Sequence, residues 1–267
     1  YASWRMIFWL VLPVILLVWS MGEATIRVKA RATDERFDFM GFLLLAVGLF
    51  SLIELLDQFT AAGITVAFWI YAVALAVAII GMGTHLRRTS TPLLNFSLLK
   101  HAGIRARAIN FFILQFGNIG IAFVIPIFAE NVLHTNASVA GLLLLPGSLL
   151  GAAVSPIGGA LYDRFGAHRL LLISDAAMVV GAMLLGLFTH QLGMALIVGF
   201  YLIFRVGFNL GFGNTMSDAS TMVDGPAKAD INSLFNTLQQ YAGSLGTASL
   251  SAIITLQQRL APTGAEA

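Results

Sequence analysis

Long apolar runs are the feature that most limits how this chain of 267 residues folds. An α-helix needs about 20 mostly apolar residues to cross the roughly 30 Å hydrocarbon core of a bilayer. Eight stretches approach or exceed that length, at residues 6–21, 39–56, 61–83, 108–129, 139–161, 170–188, 192–216 and 231–256. The sequence therefore predicts an all-α membrane protein, a helical bundle of about eight transmembrane helices. The eighth stretch is the weakest, because Asn, Gln, Gly and Ser interrupt its apolar residues.

Composition supports the same class and argues against others. Hydrophobic residues make up 58% of the chain and charged residues 10%, whereas soluble domains hold about 45–50% and about 25%. The expected partner is therefore the lipid bilayer. A net charge of only +2 argues against a nucleic-acid partner. These residues include no cysteine, so they hold no disulfide and no thiolate metal ligand, and the sequence indicates no cofactor and no metal site.

Basic residues predict the topology, because Lys and Arg are retained on the cytoplasmic side of a membrane. Twelve of the 15 basic residues fall in alternate loops between the predicted spans. They are Arg27, Lys29, Arg31, Arg36, Arg87, Arg88, Lys100, Arg105, Arg107, Arg164, Arg169 and Lys228. The intervening loops carry none. We therefore expect a multi-pass protein of the cell membrane with both ends of this chain on the outer side.

The chain begins Tyr1-Ala2-Ser3, without an initiator Met and without a charged segment typical of a signal peptide. Because the topology places this start outside, the sequence predicts a piece of a longer chain. The longest hydrophilic loop, residues 84–107, separates three leading spans from five trailing ones. It predicts a domain boundary near residue 100, with one domain at 1–100 and a second at 101–267.

A short turn between the fifth and sixth spans holds five residues with distinct physical roles. They are Gly159, Asp163, Arg164, Gly166 and Arg169. We expect Gly159 to let two helices approach closely, Gly166 to take a positive φ that ends a helix, and Asp163 to face the positive end of a neighbouring helix. The alternative is an ordinary cytoplasmic turn, which also collects Gly, Asp and Arg.

The pattern G-x-x-x-D-R-x-G-x-x-R in this turn resembles the cytoplasmic signature loop of the major facilitator superfamily. An ordered series of further segments resembles the fourteen-helix drug:proton antiporter branch of that family. They are Trp4-Arg5-Met6-Ile7-Phe8, Ile125-Pro126-Ile127-Phe128, Ala140-Gly141-Leu142, Leu145-Pro146, the run from Arg205 to Gly211, and the run from Asn236 to Gly243. Together they cover nearly the whole chain.

The resemblance implies part of a major facilitator transporter fold, helices six to thirteen of fourteen. Residues 1–100 would hold the last helix of the N-terminal half, the extra two-helix hairpin and the cytoplasmic linker. Residues 101–267 would hold the C-terminal half without its final helix, and the N-terminal half would be a partner outside this sequence. The implied function is secondary active, proton-coupled efflux of hydrophobic or cationic small molecules. The alternative is a non-transporting membrane assembly or scaffold subunit that keeps the packing motifs.

Polar residues inside the spans mark a possible path for substrate or ions. They are Gln115, Asn118, Asp175, Arg205, Asn209, Asn236, Gln239 and Gln240. A charge such as Arg205 is costly inside a membrane unless it is paired or wetted. It either lines a cavity or forms a structural ion pair with Asp175. For each amide the alternative is a hydrogen bond between helices.

Glycine pairs predict two close helix contacts, at Gly147-x-x-x-Gly151 and Gly207-x-x-x-Gly211. An enzyme is not expected. The sequence has no H-E-x-x-H metal motif and no G-x-S-x-G nucleophile turn, and none of its five histidines lies deep in a span.

Overall fold

The computed structural model describes residues 5–25, 37–61, 63–89 and 92–260. The chain divides into two compact units, Tyr1–Phe37 and Asp38–Ala267, and the first contains helix α1 (Arg5–Thr25). The second contains α2 (Phe39–Ala61), α3 (Val66–Arg88), a 3₁₀ helix (Phe96–Lys100), α4 (Ala102–Asn131), α5 (Ala137–Leu142), α6 (Leu145–Phe165), α7 (Ala167–Leu187), a 3₁₀ turn (Thr189–Gln191), α8 (Met194–Thr221) and α9 (Ala227–Leu260). The described residues include no strand, which confirms the all-α prediction.

Six segments are long and apolar enough, by length and composition, to cross a membrane. They are Phe39–Phe59, Val66–Arg88, Ala102–Asn131, Ala137–Phe165, Ala167–Leu187 and Met194–Thr221. The searched apolar part of α1, Val11–Thr25, is shorter than these six. Helix α9 has 34 residues but is not among the six, which agrees with the weakness of the eighth predicted span.

Two predicted spans differ from the helices that form. The third span was predicted to begin at residue 61, but α3 begins at Val66. Gly63 has a φ of 73° and the Thr65 hydroxyl accepts a hydrogen bond from the Phe68 amide, so the helix cannot start earlier. The fifth predicted span is divided into α5 and α6 at Leu143 and Leu144. The predicted hydrophilic loop 84–107 is also shorter, because helix extends to Arg88 and resumes by Ala102.

Both predicted glycine contacts occur, and both involve α8. A Cβ at Gly207 would lie 2.6 Å from the backbone nitrogen of Met178 on α7, so α7 and α8 touch through their backbones. Gly211 of α8 faces the Ser174 hydroxyl, which also belongs to α7. On the other side of α8, Gly147 of α6 faces the Tyr201 ring. Helix α8 therefore lies between α6 and α7.

Aromatic residues join α4, α8 and α9 toward the end where α4 begins. The Phe111 ring stacks on Phe212 of α8 at 4.9 Å between centroids and contacts Phe235 of α9 at 5.0 Å. Phe111 and Phe235 are fully buried. Further along, Gly246 of α9 lies against the backbone carbonyl of Phe116. Helix α4 thus packs against both α8 and α9.

Two carboxylates hold the linker that follows α3. Asp38, which precedes α2, accepts hydrogen bonds from the Gly41 amide (2.8 Å), the Leu93 amide (3.1 Å) and His85 Nε2 (2.7 Å). Burial raises the pKa of Asp38, but these hydrogen bonds outweigh it and bring the pKa below its ordinary value. The Asn95 amide donates to Asp230 of α9 at 3.0 Å. The linker is therefore fixed to both the α2–α3 hairpin and α9.

Candidate functional site

The predicted signature turn joins α6 to α7. Gly166 has a φ of 78°, so the predicted positive φ is present. The Gly166 amide donates a hydrogen bond to the Tyr162 carbonyl at the end of α6. Asp163 is exposed, and no described residue hydrogen-bonds to its side chain. Arg164 and Arg169 are also exposed. The turn has the predicted positive φ, whereas the contact of Asp163 with the end of a neighbouring helix stays a prediction.

The close helix approach predicted for Gly159 is not found among the described residues, whereas the preceding glycine makes one. A Cβ at Gly159 would meet nothing within 4 Å among the described residues. At Gly158 it would lie 3.0 Å from Asn214 Nδ2 on α8. Position 158 lies on the helix face that turns toward α8, and the next residue is rotated by about 100° away from it.

Arg205 contacts the predicted amide residues of α4. It is the twelfth residue of the 28-residue α8, about 17 Å along the helix axis from its first residue. Its Nη1 donates a hydrogen bond to Asn118 Oδ1. Asn118 Nδ2 in turn donates to Gln115 Oε1 at 3.3 Å, and Gln115 is buried. The three predicted path residues Gln115, Asn118 and Arg205 therefore form one connected group.

Asp175 lies at a different level and has a different partner. It is the ninth residue of α7, and its Oδ2 accepts a hydrogen bond of 2.6 Å from Asn110 Nδ2. Asn110 Oδ1 lies 3.4 Å from the Thr215 hydroxyl of α8, which shares its one hydrogen with the closer Gly211 carbonyl at 2.7 Å. Asn110 and Asn118 are eight residues apart, about 12 Å along α4. Among the described residues, Arg205 and Asp175 form no ion pair.

Asn209 joins α8 to α6 rather than to the Arg205 group. Its Nδ2 donates to the Arg205 carbonyl at 2.8 Å, one turn earlier, and its Oδ1 accepts from the Ser155 hydroxyl at 3.2 Å. Gly151 leaves space for the Asn209 side chain, since a Cβ there would collide with it. This predicted path residue therefore supports helix packing in the structure.

The three predicted path residues of α9 do not contact the other predicted path residues. Asn236 and Gln240 are exposed, Gln239 is half-buried, and none forms a side-chain hydrogen bond with a described residue. The side of α9 that meets α4 is formed instead by residues such as Phe235, Gly243 and Gly246. Their place in a path stays a prediction.

A charged cluster at the far end of α8 was not predicted from the sequence. Asp218 Oδ2 accepts from Arg107 Nε of α4, and Oδ1 accepts from the Tyr162 hydroxyl of α6, both at 2.7 Å. The side chains of Asp218 and Arg107 are only 9% and 23% exposed. The available signal was an acid just beyond the seventh predicted span and a basic residue just before the fourth.

Comparison with known proteins assigns this arrangement to a family. Residues 1–247 match the family described as Major Facilitator Superfamily. The chain belongs to this superfamily. The predicted resemblance to the major facilitator superfamily is therefore confirmed, and with it the major facilitator fold. Major facilitator proteins are transporters and not enzymes, which supports the non-enzyme prediction at the level of the family.

Several superfamily relatives have names that refer to drug resistance or efflux. The chain is 29% identical over 268 residues to the Multidrug resistance protein B homolog of Mycobacterium tuberculosis (strain ATCC 25618 / H37Rv), covering 96% of this chain and 48% of the relative. It is 24% identical to the Lincomycin resistance protein LmrB of Listeria monocytogenes, covering 96% and 55%. It is 25% identical to the Multidrug efflux pump LfrA of Mycolicibacterium smegmatis, covering 94% and 50%. The chain thus spans about half the length of these superfamily relatives.

Proposed function

We propose that the complete protein is a secondary active transporter of the cell membrane that exports hydrophobic or cationic small molecules in exchange for protons. Membership of the Major Facilitator Superfamily supports transport, and the names of the relatives support efflux. The single observation that carries the proton-coupled part is the position of Asp175 among three helices. In this proposal residues 1–100 and residues 101–267 are two parts of one transporter. The remainder of its N-terminal half, which lies outside this sequence, is the partner of both parts.

Asp175 is a carboxyl group near the middle of an apolar helix. It lies about 12 Å along the axis from the first residue of α7, which has 21 residues. Ionisable groups at such depth are costly and usually serve proton or ion transfer. Asn110 supplies the hydrogen bond that Asp175 accepts. The proposal therefore assigns the coupling proton to Asp175.

Protonation of Asp175 would change the hydrogen bonding between α7 and the helices α4 and α8. The carboxylate accepts from Asn110 of α4, which also contacts the Thr215 hydroxyl of α8. Adding a proton removes the negative charge, which weakens the hydrogen bond from Asn110, and it makes one carboxyl oxygen a donor that needs an acceptor. A proton that favours one arrangement of α4, α7 and α8 over another shifts their equilibrium. That shift is the proposed coupling step.

The proposed orientation places the α6–α7 turn in the cytoplasm and the turn before α5 outside. These 267 residues contain no cysteine, so labelling of a single cysteine placed in them is compared directly with the unaltered protein. Ser138→Cys should react with a membrane-impermeant thiol reagent on intact cells, because its position is exposed and predicted to face outward. Arg88→Cys, His168→Cys and Pro226→Cys should react only after permeabilisation. Labelling of His168→Cys from outside would contradict the orientation.

Transport by inside-out vesicles tests the proposed function. With the complete protein and an acidic lumen, we expect a pH gradient to drive accumulation of the hydrophobic cation Hoechst 33342, measured by loss of its membrane fluorescence. Asp175→Asn keeps the size of the side chain but cannot carry the proton. It should lower gradient-driven accumulation to the level of vesicles that lack the protein.

The matched control is Asp224→Asn, the same change at an exposed acid in the turn before α9. It should retain accumulation, and nigericin, which collapses the gradient, should abolish it. Accumulation that persists with nigericin would contradict proton coupling. Absence of transport by an inserted, folded protein would instead favour the scaffold alternative, and full activity of Asp175→Asn would remove Asp175 from the coupling step.

A further inference from the structure

Arg205 carries a charge near the middle of α8 that no described carboxylate balances. No described carboxylate oxygen lies within 4.0 Å of its guanidinium nitrogens, and the ion pairs of the described residues are His85–Asp38 and Arg107–Asp218. The one side-chain hydrogen bond of Arg205 goes to the neutral amide of Asn118. Its Nε is buried without any hydrogen-bond partner among the described residues. The guanidinium therefore has unused donors.

The predicted partner Asp175 and the acid on the same helix, Asp218, are held elsewhere. Asp175 is bound to Asn110, about 12 Å along α4 from Asn118. Asp218 is bound to Arg107 and Tyr162 and lies 13 residues further along α8, about 20 Å away. Neither can neutralise Arg205 without leaving its own partners.

The surroundings of Arg205 hold the guanidinium in place. An arginine does not lose its proton in proteins, so the charge must be compensated in another way. Its guanidinium lies over the Phe208 ring, 5.2 Å from the centroid. The Gln115 amide oxygen accepts from Asn118 Nδ2, which directs Asn118 Oδ1 toward Arg205. Gln115 is thus a positioning residue, and Asn118 and Phe208 hold the guanidinium without adding negative charge.

We propose that Arg205 binds the acidic group, a carboxylate or sulfonate, of an amphiphilic substrate. The planar guanidinium presents paired donors that match the two oxygens of such a group. The low dielectric of a membrane interior strengthens that attraction, and the Phe208 ring against the guanidinium gives the hydrophobic remainder of the molecule an apolar surface. The inference rests on the proposed transport function and extends its substrates to hydrophobic compounds with an acidic group, zwitterions included.

Equilibrium binding of two matched probes tests this site. The probes are 11-(dansylamino)undecanoic acid and its primary amide, which differ only in the charged end. They are titrated at pH 8, without a pH gradient, into the complete protein in lipid nanodiscs, and the signal of empty nanodiscs is subtracted. Because a hydrogen bond to a charged group is worth about 1.5–3 kcal/mol, we expect the acid to bind about ten- to a hundredfold more tightly than the amide.

Arg205→Gln should weaken binding of the acid to the level of the amide and leave binding of the amide unchanged. Arg205→Lys, which keeps the charge but not the paired donors, should restore part of the preference. Arg88→Gln, the same loss of charge at an exposed residue ending α3, should leave the preference intact. Thermal melting of each variant confirms that it is folded.

Equal affinity of the unaltered protein for acid and amide would overturn the inference. So would a loss of both affinities in Arg205→Gln together with a lower melting temperature, because Arg205 would then pair with an acid of the protein itself. The measurement needs no proton gradient, and Asp175→Asn should keep the preference for the acid. A failure of proton coupling and a failure of the anion site are therefore separate results.

Discussion

Replacing Asp218 by alanine is expected to lower the free energy of unfolding by about 3 kcal/mol. The change removes the acceptor for Arg107 and for the Tyr162 hydroxyl, and it leaves the Arg107 guanidinium, only 23% exposed, without a counter-charge. We take the lower end of the roughly 3–5 kcal/mol that accompanies loss of one partner of a buried pair, because Arg107 keeps some contact with solvent. Chemical unfolding of the complete protein in mixed micelles measures the loss.

Two further variants separate the charge from the hydrogen bonds of the Asp218 cluster. Tyr162→Phe removes a single hydrogen bond and should cost only about 1 kcal/mol. The double variant Arg107→Gln with Asp218→Asn removes both charges and should recover much of the loss, as a double-mutant cycle would show. If Asp218→Ala is no less stable than Tyr162→Phe, the ion pair contributes nothing and the expectation fails.

Gly207→Ala should destabilise the protein by about 2 kcal/mol, because the added methyl group has no space. The Cβ would lie 2.6 Å from the Met178 nitrogen and 2.6 Å from the Ser174 carbonyl oxygen, both backbone atoms of α7. Backbone cannot rotate away as a side chain can, so α7 and α8 must separate. The melting temperature of the complete protein in detergent measures the effect.

The same helix offers a matched control in Gly213. A Cβ at Gly213 would meet nothing within 4 Å, so Gly213→Ala has no steric cost. It should be neutral or stabilising by up to about 1 kcal/mol, since alanine favours helix more than glycine does. Equal melting temperatures for the two variants would mean that α7 and α8 do not make the close contact described above.

The positions of the spans could be predicted from the sequence because apolar length is a local property. A run of about 20 apolar residues is sufficient evidence for a spanning helix whatever surrounds it. The division between α5 and α6 at Leu143 and Leu144 was not predictable on that basis, since both residues are as apolar as their neighbours. Helix α9 was the weakest prediction because polar residues interrupt its apolar sequence. In the structure this helix packs against α4 through residues such as Phe235, and such contacts between helices cannot be read from one segment alone.

The partners of the polar residues were less predictable, because they depend on helix rotation and depth. From the sequence, an ion pair between Arg205 and Asp175 was one of the two interpretations of Arg205. In the structure each of the two residues forms a hydrogen bond with a different asparagine of α4. One of these asparagines, Asn110, was not among the predicted site residues. Asn118 was predicted, but its role as the acceptor for Arg205 required the orientation that Gln115 imposes.

The attachment of the α2–α3 hairpin has a consequence for biogenesis. Two described contacts tie the hairpin and its linker to α9, Asn95 to Asp230 and the Tyr241 hydroxyl to the Leu45 carbonyl, and their partners are 135 and 196 residues apart. The contacts of Asp38 with His85 and Leu93 span only 47 and 55 residues. During synthesis the hairpin can therefore close on itself early, while its edge toward α9 stays open until helices α4 to α8 and α9 have left the ribosome. A chaperone or the insertion machinery would have that unfinished edge to protect in the interval.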